Sequence, residues 1–157
     1  MTDGEPAKPR VLFLCTGNSC RSQMAEGWAR RLLGDAIEPY SAGVAPKGLD
    51  PRAVAVMAEV GVDLTGQSSK HVDELLRRLA EQGESLDWVV TVCDSAQESC
   101  PVFPGRARVL HRSFEDPPRL AAGAASEEEA LAPYRRVRDE IRRFVAELPE
   151  ILAESGR

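Results

Sequence analysis

Residues 11–28 read VLFLCTGNSCRSQMAEGW, and the rest of the chain is organised around this stretch. The apolar run Val11–Leu14 has the length of a buried parallel strand and delivers Cys15 to its carboxyl end. Five residues separate Cys15 from Arg21, and a helical period begins among them. Met24, Trp28 and Leu32 recur every fourth position, as do Ala25, Ala29 and Leu33. Cys15 is therefore expected at the base of a strand–loop–helix turn, facing the unpaired N–H groups of a helix N-terminus. The loop formed by Thr16, Gly17, Asn18, Ser19, Cys20, Arg21 and Ser22 suits a tetrahedral oxyanion, because amides, helix dipole and guanidinium all favour negative charge. The same fields are expected to lower the Cys15 thiol pKa and place a nucleophile beneath the anion. Ser22 adds a hydroxyl to support the thiolate, and Gly17 and Asn18 tolerate left-handed backbone.

A length of 157 residues suits one domain with a proper core. Residues 1–9 lack an apolar signal core and are expected to form a flexible leader to a domain of residues 10–157. No apolar run approaches the ~20 residues of a membrane span, so a cytoplasmic protein is expected. The net charge of −5 argues against nucleic acid as a partner, although local loop geometry outweighs it for a small anion. Arg135, Arg136, Arg138, Arg142 and Arg143 alternate with Asp139, Glu140 and Glu147, as on a solvated helix face. Four cysteines in a reducing compartment are not expected to be structural disulfides. Beside Cys15-x4-Cys20, the pair Cys93-x6-Cys100 is too widely spaced for a usual zinc knuckle, and neither His71 nor His111 stands at ligand spacing from a cysteine.

Strand and helix signals alternate along the chain. Gly34 offers a left-handed cap to the first helix, and residues 39–43 (PYSAG) end a second strand. Asp50 caps a helix opened by Pro51, buried through Val54, Met57 and Ala58 and closed by Gly61. Ser68 or Ser69 caps the next, whose stripe is Val72, Leu75, Leu76 and Leu79, ending at Gly83. The β-branched run Trp88–Val92 is a strand that delivers Cys93 to its end, and Arg106–Leu110 a fourth. Ser126-x-x-Glu129 is a capping box for a final helix with Tyr134, Val137, Ile141, Val145 and Leu148 on its apolar face. This order predicts a single-domain α/β three-layer sandwich, a four-stranded parallel sheet with helices on both faces.

Cys15 and Cys93 both end strands, where open parallel sheets place their ligand sites. If residues 93–100 are helical, Cys93 and Cys100 lie about 10 Å apart along the axis. A disulfide needs Cα atoms within roughly 7 Å, so the pair closes only if that helix unwinds. Ser95, Ser99 and Pro101 make unwinding cheap, and a nearby nucleophilic thiol favours a thiol relay over two unrelated cysteines. Asp116, held by Pro117 and Pro118, could serve as a proton donor or thiol-orienting group, or simply form a turn.

From about Arg10 to Phe144 the chain resembles the thioredoxin-coupled arsenate reductases of the low-molecular-weight protein tyrosine phosphatase superfamily. The matches are CTGNSCRSQMAEGW (15–28), YSAG (40–43), VVTVC (89–93), CP (100–101), FEDP (114–117) and RRVRDEI (135–141). Gln23 stands where the phosphatases usually carry proline, and the Cys93/Cys100 pair has no use in ester hydrolysis. The resemblance implies that Cys15 attacks arsenate held by residues 16–22, with Arg21 stabilising the oxyanion and Asp116 assisting proton transfer. Cys93 would then attack Cys15 and release arsenite, and Cys100 would attack Cys93. Thioredoxin would reduce the resulting Cys93–Cys100 disulfide. No bound cofactor or metal is implied beyond a monovalent cation in some relatives, held by residues matching Asn18, Glu26 and Ser41 with an acid. Lys70 aligns with that acid, and its ammonium is expected to replace the cation and pair with Glu26. Phosphate or sulfate would compete with arsenate, weak side phosphatase activity is expected, and so is a monomer. The remaining alternatives are a phosphatase whose Cys15 is guarded by the pair, and an oxyanion sensor that switches a partner.

Overall fold

Strand β1 (Arg10–Cys15) is buried from Val11 onward in the computed structural model, which describes residues 8–94, 98, 100–103 and 105–155. An apolar residue at every position suits a strand covered on both faces. Phe13 and Val11 belong to one core, Leu12 and Leu14 to another. Helix α1 (Arg21–Leu33) follows the loop, and β2 (Glu38–Gly43) pairs with β1 in parallel. Helices α2 (Pro51–Glu59) and α3 (Val72–Glu81) precede β3 (Trp88–Thr91), which lies parallel on the other side of β1. Strand β4 (Arg108–His111) completes the order β2-β1-β3-β4, followed by α4 (Pro117–Ala121) and the long α5 (Glu127–Ser155). The larger core holds Met24, Met57, Tyr134 and Ile141 from α1, α2 and α5; the smaller holds Val72, Leu75 and Leu79 from α3. The two cores on opposite faces of the sheet make the expected three-layer α/β sandwich.

Local details depart from the expectations in instructive ways. Gly34 is right-handed (φ −57°), so it does not cap α1 in the left-handed form; Gly61 and Gly83 do turn left-handed. Leu32 is exposed, and the buried face of α2 is Ala53, Val56 and Met57 rather than Val54 and Ala58. His71 caps α3 through Nδ1, which accepts from Asp73 N, in place of Ser68 or Ser69. The fourth strand starts two residues later than expected and ends one later, because Trp88 pairs with Arg108 and Thr91 with His111. Arg138 is not solvated: its Nη1 donates to Val56 O at 2.9 Å and to Glu59 at 3.0 Å. Residues 1–7 of the expected leader, and residues 95–97 and 99 of the segment expected to be helical, lie outside the described residues.

Candidate active site

The loop after β1 is held from outside through its carbonyls. Thr16 O accepts from Val44 N and Ala45 N, Gly17 O from Lys47 N and Ser69 Oγ, and Ser19 O from Asp50 N. Among the described residues, the amides of Gly17, Asn18, Ser19 and Cys20 donate to no protein acceptor. Carbonyls fixed outward and amides free inward are the arrangement an oxyanion needs. Asn18 supplies the left-handed residue at φ 46°; Gly17 does not, and a Cβ there would meet the Lys47 side chain at 3.1 Å, a contact that the exposed lysine can relieve by turning. Gly43 permits the close approach of β2, where a Cβ would stand 2.5 Å from Thr16 O.

A cavity of about 510 Å³ opens above this loop, lined by Cys15, the residues through Arg21, and Lys47, Glu98, Asp116 and Arg119. Arg21 is almost fully buried, and its Nη1 donates to Phe114 O at 2.9 Å. Its Nε is buried without a protein partner, a donor that an oxyanion oxygen would satisfy. Asp116 stands 3.5 Å from Arg21 Nη2, and burial raises its pKa against the pull of Arg21, which suits a proton donor. Asn18 Nδ2 donates to Ser22 Oγ at 2.9 Å, so Ser22 also braces the loop. Gln23 Nε2 ties Asn18 O to Ser68 O, a brace that a proline could not supply.

The Cys15 thiol departs from expectation: its pKa is raised. Burial is the largest cause and outweighs the Arg21 charge, while Glu98 adds to the rise; the Thr16 N–H opposes it, and Asp116 again raises it. The sequence could show the lowering groups, which are local, but not the carboxylates brought in from elsewhere. Cys20 is a buried free thiol raised still further by burial.

Cys93 and Cys100 form a disulfide with Cα atoms 5.8 Å apart. Cys93 is fully buried at the carboxyl end of β3, and Val92 N donates to Leu14 O, so the ends carrying Cys15 and Cys93 are neighbours. Parallel register also brings His111 to the pair: its ring and both sulfurs lie within 4.8 Å of one another. Linear spacing concealed this cluster, although with the sulfurs bonded to each other it offers no thiolate ligand. Glu98, Lys47 and Arg119 were likewise invisible as site residues, since only the folded loops bring them to the cavity. The expected cation position is filled differently from a metal site: Lys70 Nζ donates to Ser41 O (2.8 Å) and Ser68 O (2.7 Å), and Lys70 N to Asn18 Oδ1. Glu26 accepts from Ser41 Oγ and pairs with Arg30 rather than directly with Lys70.

The model of the low molecular weight phosphotyrosine protein phosphatase family matches residues 10–155. The chain belongs to this family. Within it, the chain is 43% identical over 150 residues to an arsenate reductase of Halalkalibacterium halodurans, covering 96% of this chain and 99% of that protein. A solved arsenate reductase in the phosphate binding state superposes with a TM-score of 0.68 at 30% identity, over 89% of this chain and 95% of the other. A thioredoxin-dependent arsenate reductase of Corynebacterium glutamicum gives 0.64 at 25% identity, over 97% of this chain and 65% of that one. The phosphatase-family loop and the additional cysteine pair are thus found together in a chain similar to arsenate reductases. Among the described residues, no helix is long and apolar enough to cross a membrane.

Proposed function

We propose that this chain reduces arsenate to arsenite, drawing electrons from reduced thioredoxin, and serves arsenic detoxification in the cytoplasm. The observation that carries the reading is the Cys93–Cys100 disulfide beside the strand that ends in Cys15. Ester hydrolysis needs one nucleophile and no such pair, whereas a reductase must dispose of an oxidised thiol.

Arsenate binds to the free amides of the loop and to Arg21, with phosphate or sulfate as competitors. The Cys15 thiolate attacks arsenic; a sulfur–arsenic bond forms, and an arsenate oxygen leaves as water with a proton from Asp116. The Cys93 thiolate then attacks the Cys15 sulfur. A disulfide forms, the sulfur–arsenic bond breaks, and its electron pair goes to arsenic, which leaves as arsenite. The Cys100 thiolate attacks Cys93 and frees Cys15 as thiolate. Two electrons and two protons from the thioredoxin dithiol restore the Cys93 and Cys100 thiols. No bound cofactor enters the cycle.

NADPH oxidation dependent on arsenate, coupled through thioredoxin and its reductase, tests the reading. Cys100→Ser is expected to release about one arsenite per protein and then stop. Wild-type turnover by Cys100→Ser would sink the relay, and aryl phosphate hydrolysis without arsenate turnover would favour the phosphatase.

A further inference from the structure

The guanidinium that should hold the substrate already holds a carboxylate. Arg21 Nη1 donates to Glu98 Oε2 at 2.6 Å, and Nη2 to Glu98 Oε1 at 3.0 Å. This two-point pairing is the one by which arginine grips an oxyanion, so Glu98 and a bound anion would compete for the same donors. Glu98 lines the cavity and is the more exposed partner, with 24% of its side chain accessible against 5% for Arg21. It also lies inside the short ring closed by the disulfide, two residues before Cys100. Asp94 N donates to Glu98 Oε2, and Glu98 N to Asp94 O, so one small ring fixes both the sulfurs and the carboxylate.

We propose that Glu98 is an intramolecular oxyanion mimic that closes the Arg21 site while the Cys93–Cys100 disulfide is intact and withdraws when that bond is reduced. The proposal rests on reading the loop as an oxyanion site served by this thiol pair. Its consequence is order: arsenate enters only when Cys93 is a thiol ready to resolve the Cys15 adduct. Linkage makes the coupling reciprocal, so an anion that binds the reduced form better also makes the disulfide easier to reduce.

Inorganic phosphate is the probe, titrated calorimetrically into the full chain with the disulfide intact or reduced. The reduced wild type is expected to bind phosphate about tenfold or more tightly than the oxidised form, the scale of one charge-assisted hydrogen bond ceded to a competitor. A tenfold difference would raise the midpoint potential of the pair by about 30 mV at saturating phosphate. Glu98→Gln and Glu98→Ala should bring oxidised binding close to reduced binding and abolish the phosphate dependence of the potential. Equal affinities in the two wild-type redox states would overturn the proposal, as would oxidised variants that bind as weakly as oxidised wild type. Failure of the reduced wild type to bind phosphate would remove the oxyanion site itself, and the Glu98 proposal with it. Arsenate turnover tests the reductase reading separately.

Discussion

The two halves of the site are built on opposite principles. In the loop from Cys15 to Ser22, the carbonyls of Thr16, Gly17, Asn18 and Ser19 all accept hydrogen bonds from other segments, and the Asn18 side chain is fully buried between Ser22 and Lys70 N. Among the described residues after Cys93, the ties run largely through side chains, among them the disulfide, the Asp94–Glu98 and Asp94–Arg119 pairings and the grip on Arg21, with Val102 87% exposed. The difference follows from the work proposed for each. A tetrahedral anion is held best by donors that need no rearrangement, whereas a thiol that delivers an electron pair at Cys15 and is restored by an external dithiol has to travel.

The sharpest way to break this comparison is to add one methyl group to each half. In Gly43→Ala the new Cβ would stand 2.5 Å from Thr16 O and 2.9 Å from Asn18 N, backbone atoms fixed on every side. A loss of about 3 kcal/mol is expected in urea unfolding, with phosphate binding by the reduced protein impaired as well. In Gly105→Ala the new Cβ would meet a side chain rather than backbone, the Phe103 ring at 2.5 Å, which is only partly buried against the smaller core and has to shift. That change should cost about 1 kcal/mol, less than Gly43→Ala. Equal costs would mean that the loop is no more rigid than the relay segment.

A smaller effect separates the proton chemistry of the two halves. Asp116 has to be protonated and Cys15 ionised, and the Asp116 pKa, though raised, lies below that of the buried thiol. Thio-arsenate formation should therefore rise with pH up to the folded Asp116 pKa, hold level while the two fractions offset each other, and fall only above the Cys15 pKa. Asp116→Asn is expected to remove the alkaline limb and lower single-turnover rates by roughly a hundredfold. An unchanged alkaline limb in this variant would assign that limb to another group. A second sign comes from stability. An Asp whose folded pKa is raised stabilises the fold fully below its unfolded pKa, near 3.8, and that contribution is lost as pH rises through the folded value. Asp116→Asn should therefore flatten the stability profile above that point.

The sheet was legible because apolar runs and turn signals act locally. Val11–Leu14 and Trp88–Val92 declared buried strands, and Cys15 and Cys93 could be placed at their ends without any distance. The errors lie where a partner distant in sequence decides. Gly17 resembled a left-handed residue, but in the folded loop that conformation falls to Asn18. Ser68 and Ser69 resembled caps, yet Ser68 O serves Gln23 and Lys70 and Ser69 Oγ serves Gly17. The Cys15 pKa was expected to fall because Arg21 and the loop amides are local; burial and the Glu98 carboxylate reverse it. His111 stands at no ligand spacing from a cysteine, yet register with Thr91 carries it to the sulfurs. Local chemistry points to Cys15 as the proposed nucleophile, while the long-range contacts set the thiol's surroundings.

The smallest expected effect concerns Lys70, on the rigid side of the comparison. Its ammonium donates to the carbonyls of Ser41 and Ser68, positions where a monovalent cation would find oxygen ligands, while its backbone N–H fixes Asn18. Burial lowers its pKa and the nearby charge of Glu26, itself paired with Arg30, opposes that shift. A tethered cation is present at fixed occupancy, whereas a free one depends on concentration. Replacing sodium by potassium should therefore change wild-type turnover by less than about twofold, within the small range expected of screened charges. In Lys70→Gln the carbonyls of Ser41 and Ser68 lose their cation, and potassium should then raise both turnover and melting temperature above the values in sodium. A strong potassium effect on the wild type, or none on Lys70→Gln, would show that Lys70 does not substitute for the ion.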